Sequence, residues 1–324
     1  MTDFWQDSPE LGARIERVAE IMDKSVRVPG FPLADAVAEI ASSNGKMLRP
    51  ALILIGASFG KPDWKRMSSL AATIELLHIS TLIHDDVLDE ARLRRGIPTL
   101  HSRYGAKEAI LAGDWLFALC FRLAAENTNS ENALSLARII GVICSAEIQQ
   151  DLAKYTWSAS IREYLRKIAG KTAALFSLAL HAGASESKAP TTVVQGLRRI
   201  GYNMGMAFQI IDDILDYESA EGVMRKPVGK DLQEGLCTLP LIYALKSQPK
   251  EMNKLLASLT ESHVDSRSLS TIIARTDELG GKEAARIMAR RYTERAVSEI
   301  GKLPNKPARK ELYALASRLL QRAF

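Results

Sequence analysis

The sequence predicts an all-α protein, and three observations support this. Apolar residues recur at helical spacing along most of the chain, strand-like alternation is absent, and the breaks carry Gly, Pro, Asn or Ser. Of the 324 residues, 47% are hydrophobic and 25% charged, which is typical of a globular protein with a sizeable core. No linker divides the chain, so we expect one domain over residues 1–324, a bundle of about ten or more helices around a central apolar cavity.

The helices are predicted in order from their start and stop signals. Ser8 followed by Pro9 indicates an N-cap before a proline at the first helical position. Residues 11–24 then carry one apolar stripe. Further helices are predicted over residues 33–43, 50–59, 65–90, 105–126, 130–153, 160–184, 190–218, 236–246, 249–260, 265–278, 281–301 and 306–322.

Composition excludes several classes of function. The sequence has no run of about 18 uncharged apolar residues and no basic-then-apolar leader, so we expect neither a membrane span nor a signal peptide. Cys120, Cys144 and Cys237 are widely spaced, which is typical of reduced core residues in a cytoplasmic protein. The net charge of +5 is scattered without interleaved aromatic residues. We therefore expect anionic small molecules, and no nucleic acid, as partners.

Two aspartate-rich clusters with the spacing D-D-x-x-D follow apolar helical segments, at residues 85–89 and 212–216. Within each cluster the first and last aspartates share a helix face, because a helix turns about 100° per residue. Like charges four residues apart destabilise an isolated helix by roughly 0.2–0.5 kcal/mol, so the repeated pattern indicates a shared counter-charge. We interpret the clusters as opposite walls of a site for Mg²⁺, which is usually bound by one or two carboxylates plus substrate phosphates.

Basic and histidine side chains lie near both clusters in the sequence. They are Lys46, Arg49, His78, Arg94, Arg95, Lys171, Lys226 and Lys230. Arginine and lysine bind phosphate oxygens, so these residues together with the aspartates indicate a site for a diphosphate. His84, beside the first cluster, is interpreted as structural rather than as part of a metal phosphohydrolase.

Taken together, these motifs resemble the trans-isoprenyl diphosphate synthases, in particular a long-chain polyprenyl member. The resemblance implies an isoprenoid synthase fold and a Mg²⁺-dependent prenyltransferase. Such an enzyme condenses isopentenyl diphosphate with an allylic diphosphate, releases pyrophosphate and extends the chain by one isoprene unit. The motifs that carry it are G-K-x-x-R-P at 45–50, H-x-x-x-L-I-H-D-D-x-x-D at 78–89, L-R-R-G at 93–96, G-K-T-A-A-L-F at 170–176, F-Q-I-I-D-D-I-L-D at 208–216 and K-P-V-G-K-D-L-x-E-G at 226–235.

The resemblance also implies a role for each matched residue. Isopentenyl diphosphate would be bound by Lys46, Arg49, His78 and Arg95. The allylic diphosphate would be contacted by Arg94, Lys171, Thr172, Gln209 and Lys226. Mg²⁺, with three ions expected per active site once substrate is bound, would be held by Asp85, Asp89 and Asp212. The catalytic set would be Asp85, Asp86, Asp89, Arg94, Lys171, Asp212, Asp213 and Lys226. Supporting roles would fall to Asp86, Asp213, Asp216 and Lys230, while Glu147 and Gln150 resemble an E-x-x-Q element of the family.

Product length is expected to depend on two small residues, Ser80 and Thr81, which lie five and four positions before Asp85. An aromatic residue here gives short products in the resembled family. One isoprene unit gains of order 4 kcal/mol by leaving water, so an open apolar tunnel favours growth. We expect an all-trans product of about C30–C50, with Phe117 or Phe121 forming the floor of the tunnel.

Alternatives remain open at this point. A short-chain geranylgeranyl or farnesyl diphosphate synthase would share these motifs. A class I terpene cyclase usually lacks the second aspartate cluster, and a non-catalytic subunit should have lost aspartates that this chain keeps. The family suggests a homodimer or the catalytic subunit of a heterodimer, and peripheral membrane contact at product release is compatible with either. Arg225 and Leu236 stand where glycine and lysine are usual, which predicts altered affinity rather than lost activity.

Overall fold

A computed structural model describes residues 3–42, 45–94, 96–158, 160–218, 229–260 and 264–320, which are almost entirely helical. Two short strands, β1 (Leu93–Arg94) and β2 (Ile97–Pro98), form an antiparallel pair. No longer strand occurs in these ranges, so the all-α prediction is confirmed. The α-helices are α1 (Pro9–Val26), α2 (Ala34–Ser42), α3 (Leu48–Ala57), α4 (Trp64–Leu88), α5 (Leu100–Tyr104), α6 (Ala106–Asn127), α7 (Ser130–Leu152), α8 (Ile161–Ile168), α9 (Ala174–Glu186), α10 (Thr191–Leu215), α11 (Lys230–Gln233), α12 (Leu239–Ser247), α13 (Pro249–Leu256), α14 (Ser266–Glu278), α15 (Gly281–Gly301) and α16 (Pro307–Leu320).

Local sequence explains where several of these helices begin. The side chain of Asp63 accepts hydrogen bonds from the backbone N–H groups of the second and third residues of α4. Ser160 and Glu163 form a capping box at the start of α8. Each cap satisfies backbone donors that lack a partner inside the helix, and contributes about 1 kcal/mol. Pro9 is the first residue of α1, as the proline signal predicts.

The chain folds into two compact units, and each is described by itself. The first unit comprises Met1–Ala137, Leu178–Arg198 and Leu303–Leu312. Its central helix is α4, which packs against α1, α3 and α6 and buries most of its residues. Helix α3 and the end of α9 approach closely: a Cβ atom added to Gly183 would lie 2.1 Å from the carbonyl oxygen of Ile53. The prediction that residues 1–324 form one domain stays a prediction.

The second unit comprises Arg138–Ser177, Arg199–Lys302 and Tyr313–Phe324. In it, α12 packs against α13, α14 and α15. A π-helical turn at Ala169–Ala173 joins α8 to α9, so the single helix predicted over 160–184 is interrupted. π-helical turns inside α-helices occur frequently at functional sites, and this one contains the G-K-T motif. The short helices α5 and α11 are absent from the sequence prediction because they span little more than one turn.

Exposed apolar side chains are concentrated on two long helices. Ile110, Leu111 and Phe121 are between 43% and 55% exposed on α6, and Ile148 and Leu152 are 61% and 79% exposed at the end of α7. Of the cysteines, Cys120 and Cys237 are buried, whereas Cys144 is exposed, contrary to its prediction as a core residue. Among the described residues, no helix has the length and apolarity needed to cross a membrane.

Candidate active site

The first aspartate cluster lies at the end of α4, and its members have different surroundings. Asp86 is buried, and Nε of Arg94 donates a hydrogen bond of 2.7 Å to its Oδ1 atom. Asp85 is partly exposed, and Asp89, at the C-cap of α4, is exposed. The chain then leaves the helix through Glu90, whose φ of 47° lies in the left-handed region. The cluster therefore presents its outer two carboxylates to solvent and keeps the middle one inside.

A small cavity of 30 Å³ lies beside the Asp86–Arg94 pair, and His78 and Glu75 line it as well. The structure thus brings together three of the predicted residues, His78, Asp86 and Arg94. Glu75, only 8% exposed, is absent from the sequence prediction. The sequence feature that could have identified Glu75 is the position of a carboxylate one helical turn before His78 in an otherwise apolar stretch. The cavity has room for about one water, so a diphosphate would need more space than this cavity offers.

Lys46 and Arg49 lie where the chain enters α3. Nε1 of Trp5 donates a hydrogen bond of 3.1 Å to the carbonyl oxygen of Lys46, and the Lys46 ammonium lies 4.9 Å from the centre of the Phe4 ring. Met47 is buried and adopts a left-handed φ of 50° at the N-cap position. The N-terminal segment therefore fixes the turn that carries both basic residues, which keep partly exposed side chains. Arg95 lies outside the described residues.

The two small residues before the first cluster are placed differently. Ser80 is fully buried, and its hydroxyl donates a hydrogen bond of 2.8 Å to the carbonyl oxygen of Gly113 on α6. Thr81 is partly exposed, and its hydroxyl donates within α4 to the carbonyl oxygen of His78 at 2.8 Å. Of the two, only Thr81 presents surface that a bound tail could contact, while Ser80 lies behind it against α6.

His84 and the two phenylalanines lie at the contact between α4 and α6. The His84 ring is 5.4 Å from the Phe117 ring, centre to centre, and its Nε2 lies 3.4 Å from a carboxylate oxygen of Asp114. A Cβ atom added to Gly113 would approach the same nitrogen to 2.3 Å. His84 thus packs tightly against α6. Phe117 is half-buried, and Phe121 is 46% exposed.

In the second cluster, at the end of α10, the middle aspartate is again buried. Asp213 is 6% exposed, and it accepts hydrogen bonds from the Tyr164 hydroxyl at 2.6 Å and from Nε2 of Gln209 at 2.8 Å. The Thr172 hydroxyl donates in turn to Oε1 of Gln209 at 2.6 Å. Burial raises the pKa of Asp213 to about 6, although both hydrogen bonds lower it. Asp212, the preceding residue, is exposed.

The last aspartate of this cluster, Asp216, anchors the start of α11. Its two carboxylate oxygens accept hydrogen bonds from the backbone N–H groups of Lys230 at 3.1 Å and Asp231 at 3.0 Å. Burial of the Asp231 carboxyl, together with the negative charges of Asp213 and Asp216, holds the pKa of Asp231 well above its usual range. Asp231 therefore adds a further carboxylate to this region, and the G-K-D letters of its motif were the signal for it. Lys226 and Arg225 lie outside the described residues.

Lys171 lies in the π-helical turn and faces a carboxylate. Its ammonium is 2.7 Å from Oε1 of Glu147 on α7, and its side chain is 34% exposed. This ion pair joins the G-K-T motif to the glutamate of the E-x-x-Q element. Because the pair is partly solvated, its net contribution to stability is on the order of 0–1 kcal/mol, and Lys171 can exchange Glu147 for another anion at little cost.

The exposed carboxylates of each cluster fit a hard divalent cation that binds together with a substrate. The exposed or partly exposed carboxylates are Asp85, Asp89 and Asp212, whereas Asp86 and Asp213 already accept hydrogen bonds inside their own units. In the described part of the chain, no group of three or more His, Cys, Asp or Glu could hold a metal ion. Mg²⁺ is usually bound by one or two carboxylates plus substrate phosphates, and such sparse sets of carboxylates match that mode.

Comparison with known proteins gives a consistent result. The family model for polyprenyl synthetase matches residues 32–275, which include every motif named above. A heptaprenyl diphosphate synthase component 2 from Geobacillus stearothermophilus is 36% identical over 299 residues, 92% of each chain. A geranylgeranyl pyrophosphate synthase from Lactobacillus brevis has a TM-score of 0.92 at 32% identity and covers 99% of both chains. A polyprenyl synthase from Caulobacter crescentus, complexed with calcium and isoprenyl diphosphate, has a TM-score of 0.89 at 30% identity, covering 97% of this chain and 96% of that one.

Proposed function

Because the chain belongs to the polyprenyl synthetase family, we propose that it is an all-trans polyprenyl diphosphate synthase. This prenyltransferase condenses isopentenyl diphosphate repeatedly with an allylic diphosphate and releases pyrophosphate at each step. The observation that carries the proposal is the repeated arrangement of the aspartate clusters. In each cluster a buried second aspartate is hydrogen-bonded within its own unit, and the first aspartate is partly or fully exposed.

The exposed carboxylates are the metal ligands in this proposal. Asp85, Asp89 and Asp212 hold Mg²⁺, with three ions per active site when substrate is bound. Their exposure supports this, and so does the calcium in the Caulobacter relative. When bound, Mg²⁺ supplies positive charge that stabilises the departing pyrophosphate. Asp86 and Asp213 keep the ends of α4 and α10 in place through Arg94 and Tyr164.

The basic residues bind the diphosphates. Lys46, Arg49, His78 and Arg95 are assigned to isopentenyl diphosphate, and Arg94, Lys171, Thr172, Gln209 and Lys226 to the allylic diphosphate. Several of these side chains already have partners within the chain, such as Glu147 for Lys171. Binding of the allylic diphosphate then exchanges an ion pair inside the protein for one with the substrate. Such an exchange ties substrate affinity to the strength of the internal pair.

The product is proposed to be long, about C30–C50, because small side chains precede the first cluster. The two relatives above differ in this respect, since one is named for a heptaprenyl and the other for a geranylgeranyl product. Thr81 is partly exposed and Ser80 lies buried behind it. The support for a long product therefore comes from Thr81, which keeps exposed surface, rather than from Ser80.

The assembly is proposed to be a homodimer or the catalytic half of a heterodimer. The Geobacillus relative is named as component 2 of its synthase, which supports a heteromeric assembly. The exposed apolar side chains of Ile110, Leu111 and Phe121 on α6 support an interface with another chain. Sedimentation of the purified protein distinguishes a monomer from a dimer.

The test is incubation of the purified protein with farnesyl diphosphate, Mg²⁺ and isopentenyl diphosphate, followed by chromatography of the dephosphorylated products. We expect a ladder of all-trans prenyl alcohols that depends on isopentenyl diphosphate. A hydrocarbon released without isopentenyl diphosphate would indicate a cyclase instead. If a sedimenting dimer of this chain alone produced neither ladder nor hydrocarbon, the proposed function would be wrong.

A further inference from the structure

Tyr164 is buried against the second aspartate cluster, although none of the motifs above includes it. It lies in α8, an amphipathic helix of eight residues in which Tyr164 and Ile168 are the buried members. Tyr164 is only 2% exposed, and its hydroxyl donates a hydrogen bond of 2.6 Å to Oδ2 of Asp213. Burial, and next the negative charge of Asp213, raise the pKa of Tyr164 far above its usual value. The hydroxyl is therefore a neutral donor at physiological pH.

This hydroxyl ends a chain of hydrogen bonds that joins three segments of the second unit. Thr172, in the π-helical turn, donates to Gln209 on α10, and Gln209 donates to Oδ1 of Asp213. Tyr164 on α8 donates to the other oxygen of the same carboxylate. Each Asp213 oxygen thus accepts a hydrogen bond from a different side chain, and the carboxylate is held in one orientation.

The position of Tyr164 is itself well fixed. The capping box of Ser160 and Glu163 sets the first turn of α8, and the backbone N–H of Tyr164 bonds to the carbonyl oxygen of Ser160 at 3.0 Å. Just upstream, Tyr155 donates hydrogen bonds to the end of α11 and the turn after it: its hydroxyl to the carbonyl oxygen of Gln233 at 2.7 Å, and its backbone N–H to that of Gly235 at 2.9 Å. The donor therefore lies in a helix whose first turn is fixed by its cap.

From this geometry we propose that Tyr164 is a positioning residue for the cation-binding face of α10. Its hydroxyl holds Asp213 inside the unit, and consecutive helix residues point about 100° apart, so Asp212 is left facing outwards. Without the hydroxyl, the Asp213 carboxylate loses one of its two donors and gains freedom to rotate. The metal ligand next to it is then held less precisely. This inference rests on the proposed function of the aspartate clusters.

Tyr164→Phe is the sharpest perturbation, because it keeps the ring and removes one oxygen atom. The matched control is Tyr217→Phe, in the same unit: Tyr217 is also 2% exposed, and its hydroxyl accepts a hydrogen bond of 3.2 Å from Thr238. If Tyr164 merely filled the core, Tyr164→Phe and Tyr217→Phe would leave the Mg²⁺ dependence equally unchanged. A positioning residue changes the dependence on Mg²⁺, which can be measured without turnover.

Two readouts are compared for wild type and both variants. The first is the Mg²⁺ concentration that gives half-maximal elongation. The second is the rise in thermal midpoint when Mg²⁺ is added with inorganic pyrophosphate. Since the Tyr164 hydroxyl donates to a carboxylate, and hydrogen bonds to charged groups are the stronger ones, we expect Tyr164→Phe to raise the half-saturating Mg²⁺ concentration about tenfold. It should also reduce the thermal shift, while KM for isopentenyl diphosphate changes less than about twofold. Tyr217→Phe should match wild type in both readouts.

A double variant protects the test against misfolding. If Tyr164→Phe alone is unfolded, the combination with Asp213→Asn removes the buried charge as well, and such paired replacements are far less destabilising. Its Mg²⁺ dependence should equal that of Asp213→Asn alone, because Tyr164 acts only through this carboxylate. Wild-type Mg²⁺ dependence in Tyr164→Phe, or additive effects in the double variant, would overturn the inference while elongation stands. If the wild-type protein showed no elongation activity, the proposed function would be overturned instead.

Discussion

Replacement of Glu186 by glutamine is expected to destabilise the first unit strongly. Glu186 ends α9 and has a side chain only 2% exposed. Four donors surround its carboxylate: the hydroxyl of Thr128, the backbone N–H of Asn129 at 3.0 Å, Nδ2 of Asn132 at 2.5 Å and Nη2 of Arg66 at 2.6 Å. The carboxylate therefore joins the start of α4 and the connection between α6 and α7 to the end of α9. Glutamine has almost the same shape but turns one acceptor into a donor.

The size of the effect follows from burial. Removing one partner of a buried ion pair costs about 3–5 kcal/mol, but Arg66 is 38% exposed and can be solvated in the variant. We therefore expect a loss of about 2–3 kcal/mol in the free energy of unfolding at pH 7, measured by urea denaturation. Glu126→Gln is the control: it removes the same charge from an exposed pair with Arg122, and its effect should be several-fold smaller.

The pH dependence gives a second check with a definite sign. Burial raises the pKa of Glu186. Hydrogen bonds from Thr128, Asn132 and Asn129 and the charge of Arg66 together lower it by more, so the pKa in the folded state lies below the usual value. An unfolded glutamate has a pKa of about 4.3. The stability gained is therefore complete above about pH 5 and is lost as the pH falls through the folded pKa. The gap between wild type and Glu186→Gln should narrow as the pH falls below about 5 and through the folded pKa; a gap that stays constant on acidification, or one below about 0.5 kcal/mol at pH 7, refutes the reasoning.

Three further predictions concern the active site. Thr81→Phe should shorten the main product by at least one isoprene unit in product chromatography, because Thr81 is the one of the two small residues with exposed surface, and unchanged length would contradict its role. Glu147→Gln removes the carboxylate that faces Lys171, so KM for the allylic diphosphate should fall by up to about fivefold; a rise would show that the pair supports binding. Removal of divalent metal with EDTA should abolish elongation and Mg²⁺ should restore it, so activity that survives EDTA would exclude the metal role.

Sequence patterns predict the long helices well because burial repeats along them. The predicted segment 65–90 corresponds to α4 (Trp64–Leu88), whose buried residues pack against the surrounding helices, above all α6, α3 and α1. The π-helical turn at Ala169–Ala173 gives no comparable signal. It differs from an α-helix in which backbone groups are hydrogen-bonded, and its amino-acid composition is not distinctive. Helix α11 depends on a tertiary contact, because Asp216 anchors its first turn from fourteen residues upstream.

The partners of the site residues are less predictable than the residues themselves. Neither Tyr164 nor Glu75 is among the residues that the sequence predicts for the site. Both are recognised as site residues only from their contacts in the structure. Tyr164 donates a hydrogen bond to the Asp213 carboxylate, and Glu75 lines the same cavity as His78. Spacing along one helix fixes which side chains share a face, but it carries no information about the segment that packs there.

The two buried aspartates differ in how their charge is compensated, and this predicts different costs for their replacement. Asp86 accepts a hydrogen bond from the guanidinium of Arg94, whereas Asp213 accepts from the neutral groups of Tyr164 and Gln209. Burial raises the pKa of Asp213 to about 6, so its charge is already disfavoured.

Asp86→Asn should therefore lower the thermal midpoint more than Asp213→Asn at pH 7, because it leaves the partly buried guanidinium without a carboxylate. Thermal unfolding of the two variants in metal-free buffer compares them directly, and the similar size of the substitutions makes each the control for the other. Equal losses would mean that charge compensation does not distinguish the clusters. A larger loss for Asp213→Asn would mean that the orientation imposed by its two donors matters more than the charge, since asparagine can keep only one of the two acceptor positions.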